Sequence, residues 1–93
     1  MTLATKTWDV TEHLGSEAEI AAYLDAVFED GDPELIKAAI GDVARARGMS
    51  EIAAKAGITR AGLYKALSDA GNPSFATMAS VIKALGVRLS VAH

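Results

Sequence analysis

Six residues within ten positions carry side chains suited to reading a polar surface: Thr59, Arg60, Ala61, Tyr64, Lys65 and Ser68. They leave Leu63, Ala66 and Leu67 at i, i+3 and i+4, a buried stripe at helical period. The polar set is therefore the face left over for a partner. Arg carries a planar fork that matches guanine O6 and N7, Lys acts as a point charge toward phosphate, and Tyr can donate to a phosphate or lay its ring on a thymine methyl. A helix read by its first turns also offers free N–H groups and the positive end of its dipole to nearby phosphates. These residue types at the start of a short amphipathic helix suit insertion into the major groove of double-stranded DNA, with Arg60 as the leading specificity residue and Lys65 as a phosphate contact.

A polar helix face by itself is common, and the residues before this one make it specific. Between Met49 and Ser68 the order of small, apolar and Gly positions is the one two helices need to cross at a tight turn. Ser50 is expected to cap a first short helix with Ile52, Ala53 and Ala56 inward, and it joins the candidate DNA contacts. Ala53 is small enough for close approach of two crossing backbones. Gly57 supplies a positive φ to end the first helix, Ile58 plugs the turn, and Thr59 caps the second helix. The pattern is a helix-turn-helix.

Three further helices complete an all-α expectation. Ser16 and Glu19 form a capping box for a helix with Ile20, Tyr23, Leu24, Val27 and Phe28 on one face, closed by Gly31. Asp32, Pro33 and Glu34 open the next, with Leu35, Ile36, Ala39, Ile40 and Val43 toward the core and Gly48 as its stop. Arg45 and Arg47 near its end serve either the negative dipole end or the DNA backbone. After the motif, residues 69–73 form a turn, and Ser74 caps a last helix with Phe75, Met78, Val81, Ile82 and Leu85 inward. The tail, residues 87–91, alternates as a half-buried strand does. It needs a partner strand, either the alternating run Lys6, Trp8, Val10 or the same tail of a second subunit, so it is expected to help join a symmetric dimer.

At 93 residues and 51% hydrophobic the chain suits a single domain with one core. Its parts are an acidic N-terminal extension and helix over residues 1–31, a DNA-binding helical core over 32–86 and a strand or tail over 87–93. Net charge is −3 and the pI is near 5.2. The charge is unevenly placed: residues 1–31 hold one Lys against seven acids (−6), and residues 32–93 hold eight basic residues against five acids (+3). The motif half is only modestly basic, so a homodimer that doubles the phosphate contacts is the expected binding unit. The acidic helix either has an ordinary solvated side or meets a basic partner.

There are no cysteines, which excludes a disulfide framework and thiolate metal sites and fits a reducing cytoplasm. No apolar run suits a signal peptide or a bilayer span, so no membrane role and a soluble cytoplasmic protein are expected. His13 and His93, the two imidazoles, stand beside neither a Ser nucleophile nor a metal-ligand spacing, and no phosphate-cradling Gly motif occurs. No catalytic, metal, cofactor or small-molecule site is expected, and the chain does not read as an enzyme.

The runs ARARGM, LYKALS, GNPSF and KALGVRL resemble the lambda-repressor-like domain of addiction-module antidote proteins, and the resemblance extends from about Trp8 to Val91. It implies a lambda-repressor-like helix-turn-helix bundle of about five helices with a short C-terminal β-strand. It also implies a HigA-like antitoxin of a type II toxin–antitoxin operon, which represses its own promoter and pairs with a small RelE-like toxin. In domains of that kind the loop after the recognition helix lies near the DNA backbone. Asn72, Ser74 and Thr77 are thereby candidate phosphate contacts, with turn and cap chemistry as the other reading. Two positions depart from the pattern. Glu51 stands where relatives commonly place a phosphate-binding Gln, and Gly62 sits inside the recognition helix at a cost of roughly 1 kcal/mol relative to Ala. The residues leave two other functions open: a solitary phage-type regulator without a toxin, and a toxin-binding protein that does not bind DNA.

Overall fold

A computed structural model describes residues 15–87. Among them all regular structure is helical, in the order α1 (Glu17–Asp30), α2 (Pro33–Arg47), α3 (Met49–Ala56), α4 (Arg60–Leu67) and α5 (Phe75–Ala84). The expected strand lies outside the described residues except for Val87, which is irregular, and its possible partner run at Lys6, Trp8 and Val10 lies outside them too, as do His13 and His93.

Local side-chain chemistry starts four of these helices. Ser16 Oγ accepts the Glu19 N–H at 3.2 Å, Asp32 Oδ1 accepts the Glu34 N–H at 3.0 Å, Thr59 Oγ1 accepts the Gly62 N–H at 2.9 Å, and Ser74 Oγ accepts the Thr77 N–H at 3.1 Å. Each satisfies one of the donors that a helix start leaves without a carbonyl. The capping box at α1 is half formed, because the Glu19 carboxylate accepts a hydrogen bond from the Ser16 hydroxyl at 3.2 Å.

α3 departs from expectation at its start. Gly48, at φ 106°, ends α2 and serves at once as the N-cap of α3, with no side-chain cap. Its carbonyl accepts the Ile52 N–H at 3.0 Å. One residue turns the chain between two helices, so α3 begins at Met49, and Ser50 is an exposed first-turn residue rather than the cap.

One core joins the helices. α3 packs against α2, α4 and α5, and α1 packs on α2. Ile20, Ile40, Val43, Ile52, Leu63, Val81 and Leu85 are fully buried and carry most of its volume. Two residues expected inside are outside. Phe75 is 79% exposed and Leu35 is 45% exposed. The buried stripe of α5 is Val81, Ile82 and the following Leu85, with Met78 partly buried against it. Phe75 lies one turn before Met78, at the first residue of the helix, past the point where other helices cover it. The covered face of α2 runs through Lys37, Ala39, Ile40, Gly41, Val43 and Ala44, which rotates Leu35 toward solvent.

Candidate nucleic-acid interface

α3 and α4 are eight residues each and are joined by Gly57, Ile58 and Thr59. Gly57 adopts φ 76°, a left-handed conformation that opposes any side chain, and its N–H returns to the carbonyls of α3. Ile58 donates its N–H to the Ala53 carbonyl at 3.0 Å and packs its side chain against the core. Ile52 and Ala53 on α3 and Leu63 and Leu67 on α4 are buried, with Ala56 and Ala66 half-buried. The turn is thereby tied to α3 and the core through Ile58, and the polar side of α4 faces solvent.

On that side Thr59, Arg60, Ala61, Tyr64, Lys65 and Ser68 are all exposed. Arg60 and Tyr64 lie one turn apart. The Arg60 Nη2 donates to the Tyr64 hydroxyl at 3.3 Å, and the guanidinium carbon is 5.5 Å from the ring centroid. The cation is laid along the helix on an aromatic surface, a contact worth about 0.5–1 kcal/mol at an exposed site. Lys65 makes no ion pair among the described residues. Ala61 gives the helix a low profile in its first turn.

The hydroxyls of the set are engaged in the protein's own helix ends. Thr59 caps α4, and the Ser68 hydroxyl donates to the Lys65 carbonyl at 2.8 Å at the other end of the same helix. Ser74 caps α5, and its Oγ lies 3.0 Å from the Thr77 Oγ1. Asn72 is exposed in the α4–α5 loop. The structure thus gathers six of the ten candidates on α4 and its cap positions, sets Asn72, Ser74 and Thr77 on the loop and helix that follow, and leaves Ser50 on the first turn of α3.

Gly62 has a local reason for its identity. A Cβ built there would lie 3.0 Å from the Thr59 Oγ1, crowding the hydroxyl that caps the helix. Glu51 has one as well. Its carboxylate pairs with Lys55 at 2.9 Å on the exposed side of α3. The hydrogen bond from Lys55 and that residue's charge, with a smaller contribution from Arg47, hold the Glu51 carboxyl below the usual glutamate range. Glu51 therefore stays ionised, and its charge offsets that of Lys55 on α3.

Lys37 is a residue that pattern reading passed over. Its side chain is buried in α2, and its Nζ donates to the carbonyls of Asp69 at 3.1 Å and Gly71 at 2.9 Å. Glu34 Oε1 lies 3.3 Å away. This ammonium fastens the loop that follows α4. Gly71 brings the same loop tight against the end of α4, where a Cβ would collide with the Lys65 and Ala66 carbonyls. The available signal was a lysine set between Ile36 and the buried pair Ala39 and Ile40.

Among the described residues no group of three or more His, Cys, Asp or Glu side chains is placed to hold a metal ion, and no helix is long and apolar enough to cross a membrane. A family model described as "Probable addiction module antidote protein" matches residues 4–93. A curated protein of Haemophilus influenzae (strain ATCC 51907 / DSM 11121 / KW20 / Rd), described as "Uncharacterized protein", is 55% identical over 91 residues, covering 98% of this chain and 94% of that protein. No solved structure matches the chain.

Proposed function

The chain belongs to the family of probable addiction module antidote proteins, and on that premise we propose that it is a DNA-binding antitoxin of a type II module, a repressor of its own operon that also neutralises a RelE-like toxin. An antidote implies a toxin as partner. The DNA-binding half of the reading rests on one observation: a short capped helix, joined to α3 by a three-residue turn, carries Arg60, Ala61, Tyr64 and Lys65 exposed along one side. In this reading α3, the turn and α4 are the lambda-repressor-like helix-turn-helix, and α4 enters the major groove.

Arg60 reads base edges, with guanine as its natural partner, and the Tyr64 ring positions it before contact. Lys65 meets a phosphate. Asn72 and the Ser74-capped start of α5 lie against the flanking backbone, where N–H groups at a helix start suit an anion. The chain acts as a homodimer on a palindromic operator, with its two recognition helices roughly 34 Å apart. The +3 balance of residues 32–93 favours the dimer, since one copy neutralises few phosphates. The acidic residues of α1, on a helix packed against α2, suit a basic toxin rather than DNA.

The test is binding of the purified chain to its own upstream DNA at two salt concentrations. Specific binding that weakens with salt supports the repressor. Binding no tighter than to unrelated DNA removes it and leaves the chain a toxin-binding protein.

A further inference from the structure

The α1–α2 turn and the start of α5 enclose a groove of about 380 Å³. Phe28, Pro33, Ile36, Ile40, Met78 and Ile82 line its apolar part, and the 79% exposed Phe75 ring stands at its edge. We propose that this groove docks a cationic amphipathic segment of a partner polypeptide. The proposal rests on the antidote reading and names the surface by which such a protein holds its toxin.

Charge selects the occupant. Along the α1–α2 turn, which bounds the groove, Glu29, Asp30, Asp32 and Glu34 are all exposed, and Glu34 is the one acid among the lining residues. Lys37 is the one cation among the lining residues, and its ammonium is taken up by the Asp69 and Gly71 carbonyls and by Glu34. An apolar floor with an acidic edge disfavours DNA inside the groove, while Gly71, Asn72 and Pro73 on its opposite wall belong to the loop set against the DNA backbone above. A second copy packed here about a twofold axis would bring two acidic edges together, because an isologous contact sets the same patch against itself. A segment with an aromatic or aliphatic anchor between Lys and Arg residues satisfies both the floor and the edge. Such a segment would dock as an amphipathic helix lays its apolar face in a groove, with complementary charge setting register and encounter rate.

The probe is the purified product of the reading frame beside the chain's own gene, titrated calorimetrically into the full chain. Two variants are compared with wild type: Phe75→Ser, and the exposed pair Glu29→Lys with Asp30→Lys. Each is expected to raise Kd at least tenfold while helical circular dichroism and the mass of the free chain by light scattering stay unchanged. The charge pair lies on the surface, so it reports even if Phe75→Ser were to disturb folding. If wild type binds and both variants bind as tightly, the groove is not the docking surface and the antidote reading stands. If Phe75→Ser lowers the mass of the free chain, the groove belongs to a second copy and the proposal is overturned. If wild type does not bind the product, the antidote reading fails and the proposal with it.

Discussion

The Nζ of Lys37, in the second turn of α2, donates to the carbonyl of Gly71, thirty-four residues on, at 2.9 Å, and its other acceptor, the Asp69 carbonyl, stands at 3.1 Å. A single buried side chain therefore secures the loop between the candidate recognition helix and α5. Lys37→Met keeps most of the apolar stem and leaves both carbonyls without this donor. Hydrogen bonds to charged groups contribute roughly 1.5–3 kcal/mol each, and solvent reaching the loop will recover part of that. Urea unfolding should show a loss of about 2 kcal/mol. A change within about 0.5 kcal/mol, the usual scatter of surface substitutions, would mean the contact contributes little.

Gly71 and Gly57 should respond to alanine for different reasons. At Gly71 the added Cβ meets backbone carbonyls of α4, which have little room to give, so overpacking of about 1–3 kcal/mol is expected. At Gly57 there is open space around the Cβ and the cost is the left-handed backbone, about 1–2 kcal/mol. Thermal unfolding of the two variants, with helical signal recorded, checks both. Gly71→Ala should also displace the loop that carries Asn72 and so weaken DNA binding, an effect Gly57→Ala produces only through the turn.

On α4, Arg60→Ala should reduce affinity for the specific upstream site by about 1–3 kcal/mol and relax preference at one base position. Arg60→Lys should restore little, since an ammonium lacks the bidentate fork. Lys65→Ala should weaken binding across sequences alike and lower the slope of log K against log salt by about 1. Fluorescence anisotropy with specific and scrambled duplexes separates these outcomes. Equal losses on both duplexes for Arg60→Ala would assign it to phosphate instead of base.

Two ionisable contacts give the stability curve opposite slopes. Glu51 is held below its ordinary value by Lys55, so the stabilisation from that pair is present above pH 4.5 and disappears as the pH falls through the lowered folded value. Glu51→Gln should flatten the acid limb, and by removing a carboxylate near the candidate surface it should tighten DNA binding. Tyr23 is the reverse case. Burial, then the charge of Asp42 and the hydrogen bond to it at 3.3 Å, push its phenol above the ordinary 10.0. Its contribution is intact below pH 10 and is lost as pH rises through the higher folded value, a loss Tyr23→Phe should not show. Chemical unfolding between pH 3 and 11 tests both.

What was legible in the sequence is what neighbouring residues decide among themselves. Ser16, Asp32, Thr59 and Ser74 cap helices because their oxygens reach an N–H two or three residues away, and no distant contact is needed. The exposed side of α4 was legible for a similar reason, since Leu63 and Leu67 must turn inward and Arg60, Tyr64 and Lys65 are carried out with them. Phe75 was misplaced because periodicity finds a face but does not say where the covering helices stop. Ser50 was misplaced because Gly48 closes one helix and opens the next in a single residue, so the expected cap lies inside the helix. The position of Lys37 on the covered face of α2 is legible from its apolar neighbours, but its acceptors are not, because they are carbonyls of a loop that only the tertiary fold brings near. Which hydroxyls remain available was hidden as well: Ser68 and Ser74 donate their hydroxyl protons at helix ends, so any contact they make with phosphate must share or displace an existing bond, whereas Thr77 accepts from Ser74 and keeps its own proton to donate.

The loop leading away from α4 forms part of the wall of the apolar groove through Gly71, Asn72 and Pro73, and the ammonium of Lys37 fastens it there. Any occupant of the groove that shifts this group alters the loop's resting position, and any surface that grips the loop pulls on the groove. Thermodynamic linkage makes such an influence mutual: the factor by which one ligand changes the affinity for the other is the same in both directions. One lysine is thus placed where two binding equilibria would exchange free energy through a loop that both ligands border.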